Sequence, residues 1–270
     1  MGLSRRAFLE VAGLLSVLRA SSASDPREAK GTEMPEDTVV ELRQYTVRRG
    51  QRDVLIALFE QSLLDPQNAL GAHVLGIFRD LDDPDRFVWI RGFEDMITRQ
   101  AALTAFYSGP AWLANRAVAN ATMVDSDNVL LLRPAGMGLG IPRSTAPNPA
   151  ATGAVIGAMI YYLGRVDAAE FGRVFNQAIL PLLMAVGARP IARLVTETSA
   201  NNYPRLPIRE SDRAFVWLAR WPDTAAEEEF VGKLRALSGW RDSLSESVLP
   251  GLMQKPERLR LAPTSRSPLR

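Results

Sequence analysis

The stretch Phe87-Val88-Trp89-Ile90-Arg91 decides the fold, because its first three residues recur 128 positions later as Phe215-Val216-Trp217. Trp112 and Trp240 keep the same spacing. Upstream, the spacing is 116 residues for three further pairs: Tyr45 with Tyr161, Phe59 with Phe175, and Gly71 with Gly187. The change of spacing places one insertion in the polar stretch 196–213. A repeat of this length predicts two units of the same kind within one chain.

Each copy carries the pattern of a β-α-β-β-α-β unit. In the first copy, Val39 to Val47 alternates as a strand does, and Gln51 to Leu64 carries a helical apolar stripe. The units span residues 38–134 and 153–262, and a glycine- and proline-rich linker occupies 135–152. The sequence therefore predicts an α+β fold in which two tandem ferredoxin-like units pair into one intramolecular α–β barrel.

The two faces of the predicted first sheet differ in character. One face is aliphatic and suits helix packing: Val40, Leu42, Val88 and Ile90. The opposite face is large and amphipathic: Arg43, Tyr45, Phe87, Trp89 and Arg91. Because such a face needs a partner, we expect it to meet the sheet of the second copy.

The N-terminus has the features of an export signal. Arg5 and Arg6 precede an apolar run that ends in small residues near Ala23, which is typical of a twin-arginine signal peptide spanning 1–23. An uncleaved signal anchor is the alternative. Residues 24–37 form a polar tether and 263–270 a disordered tail. The expected location is the periplasm or the medium, with no stable membrane span after cleavage.

Composition excludes several classes of chemistry. The chain has no cysteine and one histidine, so thiolate catalysis and thiolate-bound metals are excluded. Its net charge of +2 falls to zero without residues 1–23, since that segment holds three arginines and one glutamate. We therefore expect no nucleic-acid partner. In the acidic turn from Asp80 to Asp85, Pro84 and the absence of a glycine argue against a calcium loop, so no metal site is predicted.

Three segments of the first copy carry a resemblance to a known family: Glu41-Leu42-Arg43-Gln44-Tyr45, the stretch from Phe87 to Phe93, and Phe106-Tyr107 with Gly109-Pro110 and Trp112. They resemble the NIPSNAP family of the dimeric α–β barrel superfamily, closely over 39–134 and loosely in the second copy. The resemblance implies the barrel fold, but it implies no particular reaction. Relatives in the superfamily include cofactor-free quinol monooxygenases and haem-degrading monooxygenases.

Candidate site residues are those whose polar group in the first copy is lost or becomes smaller in the second. Arg43 is replaced by Met159 and Arg91 by Ala219, and Asn115 is reduced to Ser243. With the neighbouring aromatic residues and the single histidine, the predicted ligand-binding set is Arg43, Tyr45, His73, Trp89, Arg91, Tyr107 and Asn115. The alternative for the arginines is an ion pair with Glu41, without any ligand.

These residues favour a binding protein for a small aromatic or anionic molecule, or for a protein partner. The alternative is a cofactor-free or haem-dependent monooxygenase-like enzyme, in which Arg43, Tyr45 and His73 orient the substrate and accept a proton. No cofactor is predicted; haem bound through His73 belongs to the alternative. The chain is expected to be a monomer or a small homo-oligomer.

Overall fold

The computed structural model describes residues 36–143 and 153–270. The predicted signal peptide, the tether up to residue 35 and the middle of the linker, 144–152, lie outside the described residues. Within the described part, no helix is long and apolar enough to cross a membrane.

The first half contains five strands, with helices after the first and third. In chain order these elements are β1 (Val39–Val47), α1 (Arg52–Leu58), a π-helical turn (Phe59–Leu63), α2 (Leu64–Ala69), β2 (His73–Asp80), β3 (Arg86–Phe93), α3 (Met96–Ser108), α4 (Pro110–Thr122), β4 (Met123–Asp125) and β5 (Val129–Pro134).

The second half follows a similar order without an equivalent of β4. Its elements are β6 (Val155–Leu163), α5 (Ala168–Val174), a π-helical turn (Phe175–Ile179), α6 (Leu180–Ala185), β7 (Pro190–Thr196), β8 (Arg213–Trp221), α7 (Thr224–Ala236), α8 (Trp240–Asp242), a π-helical turn (Ser243–Val248), a 3₁₀ turn (Leu249–Gly251) and β9 (Glu257–Pro263).

Eight strands form a closed antiparallel barrel. They pair in the order β3-β2-β9-β6-β8-β7-β5-β1, and β1 pairs with β3 to complete the ring, while short β4 extends the pairing of β1. The pairs β2–β9 and β5–β7 join the two halves edge to edge. The intramolecular α–β barrel predicted from the sequence is therefore present.

The prediction of which face points where is wrong. Val40, Leu42, Val88 and Ile90 point into the barrel and pack against aliphatic residues of the second half such as Ile160 and Val216. Tyr45, Phe87 and Trp89 lie on the outer face beneath the helices. An eight-stranded barrel has an interior just wide enough for side chains to fill, so the aliphatic set fits inside. The large amphipathic side chains lie between sheet and helices instead.

The same helical irregularity occurs in both halves. The π-helical turns at Phe59–Leu63 and Phe175–Ile179 are 116 residues apart, at matching positions of the repeat. Pro66 and Pro181 follow them, and a proline ring clashes with the carbonyl four residues earlier, which here belongs to the π turn in each case. The widened turn relieves that clash and re-aims Phe59 and Leu63 toward the outer sheet face.

The C-terminal tail is ordered, contrary to the prediction of disorder. Thr264 and Ser267 are buried, and the backbone N–H groups of Thr264 and Leu269 donate to β2 carbonyls. The buried Glu60 carboxylate accepts bonds from the Thr264 hydroxyl at 2.6 Å and the Ser265 hydroxyl at 2.9 Å, as well as from the Arg266 N–H. The tail thus connects the π turn of the first half to strand β2.

Deleting residues 264–270 should destabilise the protein by about 3 kcal/mol, because it leaves the Glu60 carboxylate buried without its donors. Urea unfolding followed by circular dichroism measures the loss. In a Glu60→Ala background the same deletion should cost much less. An equal cost in both backgrounds would mean that the tail stabilises the protein by some other contact.

Candidate functional site

A fully buried ionic cluster lies on the outer face of β1 and β3. The Glu41 carboxylate accepts from Arg99 Nε at 2.7 Å on Oε1, and from Arg43 Nη1 at 2.5 Å and Arg91 Nε at 2.8 Å on Oε2. Each of the four side chains is no more than 1% exposed. We call these residues, Glu41, Arg43, Arg91 and Arg99, the Glu41 cluster.

The Glu41 cluster holds one negative and three positive charges, so it carries an excess of two positive charges in a buried place. Burial by itself raises the pKa of Glu41, but Arg91, Arg43 and Arg99 together hold this pKa well below its ordinary value. The stability that the carboxylate contributes is therefore fully present above about pH 4.5, its ordinary pKa, and is lost as the pH falls toward the lowered folded-state pKa.

Arg43 links the cluster to a phenol. Its Nε donates to the Tyr45 hydroxyl at 2.8 Å, and its guanidinium carbon lies 5.4 Å from the centre of the Trp89 ring. Among the described hydrogen bonds, the Tyr45 hydroxyl proton has no acceptor. Burial raises the pKa of Tyr45, so the phenol stays neutral and keeps this proton available for donation.

An aromatic cavity of about 110 Å³ lies directly against this phenol, between the sheet and the helices of the first half. Its wall includes Tyr45, Trp89, Phe59, Tyr107 and Gln67. The Gln67 amide oxygen accepts from Arg91 Nη1 at 3.0 Å, which fixes that side chain. The buried Trp89 Nε1 has no hydrogen-bond partner among the described residues. The cavity thus offers two hydrogen-bond donors within an apolar enclosure.

The second half covers part of this site. The long loop 197–212, between β7 and β8, contributes Asn201 and Asn202, whose amide oxygens accept from Arg99 Nη1 at 3.1 and 2.6 Å. Tyr203 stacks on Tyr107 with ring centres 5.9 Å apart, and Leu206 lines the cavity. The insertion inferred from the change of repeat spacing lies in this loop.

The structure brings some of the predicted site residues together and separates others. Tyr45, Trp89 and Tyr107 line the cavity, whereas Arg43 and Arg91 stand behind its wall and pair with Glu41. The ion-pair alternative stated for the arginines thus describes their contacts. Their contacts with the cavity wall are to Tyr45, Gln67 and the ring of Trp89.

His73 and Asn115 lie apart from the cavity. The Nδ1 atom of His73 is 2.9 Å from an Asp37 carboxylate oxygen, and Arg143 Nη2 also pairs with that oxygen at 2.6 Å. His73 lines neither aromatic cavity. Asn115 donates to the Ala111 carbonyl within its own helix.

Sequence reasoning missed Gln67, Arg99 and the asparagines of the loop. The repeat held a signal for Arg99, because position 99 corresponds at the 128 spacing to Glu227, a change of charge sign. Nothing in the sequence marked Gln67, since its contact with Arg91 depends on how the π turn rotates α2.

The second half has a larger cavity at the matching place. It measures about 210 Å³ and lies on the outer face of β6 and β8 beside α7. Five aromatic side chains line it: Tyr161, Trp217, Trp221, Phe230 and Trp240. Together the two cavities account for all five tryptophans of the chain.

The fold and the two cavities define an α–β barrel protein with covered outer sheet faces. Residues 40–137 match the model of the NIPSNAP family, the family that the three segments of the first copy resemble. In a comparison of sequences, no curated protein matches the chain.

Three solved structures have the same barrel fold over most of the chain. A proposed monooxygenase from Fusobacterium nucleatum subsp. nucleatum is 11% identical, with a TM-score of 0.54 over 85% of this chain and 94% of that one. An anthrone oxidase-like protein is 10% identical, with a TM-score of 0.53 over 86% of this chain and 93% of that one. A proposed monooxygenase from Lactobacillus acidophilus NCFM is 13% identical, with a TM-score of 0.51 over 84% of this chain and 94% of that one. These likenesses show the fold.

Replacing Glu41 by Gln should destabilise the protein more than Arg43→Met or Arg91→Ala does. Without the carboxylate, three buried guanidiniums remain uncompensated, and the expected cost is about 3–5 kcal/mol. Each arginine replacement leaves Glu41 with two partners and reduces the positive excess. Urea unfolding at pH 7 gives the order. If either arginine variant is the least stable of the three, the cluster does not carry a destabilising positive excess.

Proposed function

We propose that the cavity of the first half binds a small aromatic molecule through a phenol-type oxygen. The observation that carries the proposal is the excess of two positive charges in the Glu41 cluster, directly behind the Tyr45 wall. A buried positive excess stabilises a nearby anionic oxygen, and the neutral Tyr45 phenol is the group placed between the two.

The ligand is small because the cavity is small. A cavity of about 150 Å³ holds a benzene-sized molecule in another protein, so the cavity of about 110 Å³ takes no more than one ring and must widen by side-chain movement to hold it. The ring packs among Phe59, Trp89 and Tyr107, and its oxygen accepts from the Tyr45 hydroxyl and from Trp89 Nε1. Both donors belong to rings whose centres are 6.0 Å apart.

The loop 197–212 gives the site its closure. Asn201 and Asn202 bind Arg99 from the cluster side, and Tyr203 and Leu206 cover the Tyr107 side. The second half therefore takes part in the site of the first. Because residues of both halves form the site, we expect the whole chain, and not the first half alone, to bind the ligand.

Titration with 4-nitrophenol tests the proposal, because the visible absorbance of the phenolate reports both binding and ionisation. We expect saturable binding and a lowered apparent pKa of the bound probe. Tyr45→Phe should weaken binding by about tenfold, the loss of one hydrogen bond to a charged oxygen. The matched control is Tyr161→Phe, the same change in the second half, which should leave binding unchanged. Binding without a change in the probe's pKa would overturn the role of the cluster.

Oxidation of the bound molecule is the second candidate function. It is favoured by the names of the barrel neighbours, two proposed monooxygenases and an anthrone oxidase-like protein. A one-ring phenol would lose its hydroxyl proton to give a phenolate, which the Glu41 cluster stabilises; reaction with dioxygen at the carbon para to the oxygen would then yield a quinone and one water. Oxygen uptake with phenol distinguishes the enzyme from the binding protein, and an absorption spectrum of the purified protein shows any haem or flavin.

We also propose that the two halves are duplicated ferredoxin-like units. The strand order β5-β1-β3-β2 of the first half matches β9-β6-β8-β7 of the second, and the π turns after α1 and α5 recur at the repeat spacing. The second unit is accordingly a diverged NIPSNAP-like copy.

Export through the twin-arginine route is proposed from the N-terminal sequence alone. Replacing Arg5 and Arg6 together by Lys should leave the precursor in the cytoplasm, because the route reads the arginine pair itself. Cell fractionation and immunoblotting measure this. Replacement of Arg19 by Lys is the matched control and should export normally; normal export of the double variant would refute the route.

A further inference from the structure

We infer that the cavity of the second half is a separate binding site for a two-ring aromatic carboxylate. This inference is independent of the function proposed for the first half, since it rests on different residues and a different cavity. Its volume of about 210 Å³ is roughly twice that of the first cavity, and its wall carries five aromatic side chains.

The second cavity exists because the Glu41 cluster has no equivalent there. Gly157 takes the position of Glu41, Met159 that of Arg43 and Ala219 that of Arg91, so three large side chains are shortened or removed. A side chain could not return at position 157 without displacement, because a Cβ atom there would lie 2.5 Å from the Trp221 ring. The Trp221 ring thus takes the place of the Glu41 side chain, and Gly157 and Met159 line the second cavity.

One polar group inside the cavity wall lacks a partner. Trp217 is 5% exposed, and its buried Nε1 has no hydrogen-bond partner among the described residues. A buried donor left unpaired is costly, so a ligand acceptor at this position would recover free energy. Burial raises the pKa of the adjacent Tyr161 to about 12, against a smaller lowering by the nearby Trp217 N–H, whose geometry falls short of a hydrogen bond. That phenol therefore stays neutral, and the wall gains no negative charge from it.

The charged side chains of the lining select an anion over a cation. Both oxygens of the buried Glu227 carboxylate are already used, by Arg258 and by Arg260 Nε, the latter at 2.8 Å. Arg235 and Arg258 line the cavity together with this one carboxylate, so positive charge is in excess. Arg235 is exposed and lies where a ligand carboxylate would emerge from the aromatic enclosure. A planar ring system with one carboxylate satisfies the rings, the indole N–H and the arginine.

Calorimetric titration of the full chain with 1-naphthoate tests the inference. We expect one saturable site, weakened about tenfold by Trp217→Phe, which keeps a ring but removes the N–H donor. Trp89→Phe makes the same change at the matching position of the first half and should leave this affinity unchanged. Arg235→Gln, at an exposed position, should also weaken naphthoate binding severalfold without lowering the melting temperature.

Uncharged 1-naphthol separates the contributions of ring and charge. Its affinity should respond to Trp217→Phe and not to Arg235→Gln. Absence of saturable naphthoate binding overturns the inference. So does an equal loss in Trp89→Phe and Trp217→Phe, which would place the probe in the first cavity or on the surface. Because the 4-nitrophenol site is judged through Tyr45, either proposal can fail while the other stands.

Discussion

Burial of Glu41 among three arginines is the constraint on which the first half depends. The negative charge of a fully buried carboxylate needs positive charge nearby, and three guanidiniums supply two positive charges more than it needs. Their remaining donors must then be used elsewhere: Arg43 binds the Tyr45 hydroxyl, Arg91 the Gln67 amide and Arg99 the asparagines of the loop. Strand β1, helix α2 and the loop 197–212 are thereby linked to the Glu41 carboxylate through the three arginines. The wall of the cavity is fixed by charges that do not themselves touch its interior.

The sequence predicted the elements well because the strands have strong local patterns. The bounds of β1 were predicted to the residue. The orientation of the sheet faces was wrong for a physical reason. Alternation shows that two faces differ, but barrel closure decides which face is enclosed, and closure depends on pairs between halves far apart in sequence.

The site was only partly predictable for a related reason. Comparing the copies distinguished the arginines from the shared aromatic residues, yet a polar residue that only one copy carries can serve a buried ion pair as well as a ligand. Arg43 and Arg91 do the former in their contacts. Gln67, Arg99 and Asn202 reach the cluster through tertiary packing, and no spacing in the sequence brings them together. The ordered tail was missed because its burial comes from Glu60, about 200 residues earlier.

Joining both halves in one chain removes a restriction that identical subunits impose. In a symmetric pair, each substitution appears twice, so a loop that closes one cavity would close both. Here the loop 197–212 is present in one half only and covers the cavity of the other, while the second cavity has lost the ionic cluster and gained volume. The shared tryptophans Trp89 and Trp217 keep the same place in both walls. The barrel holds the scaffold constant, and the outer faces are therefore free to differ in charge, size and access.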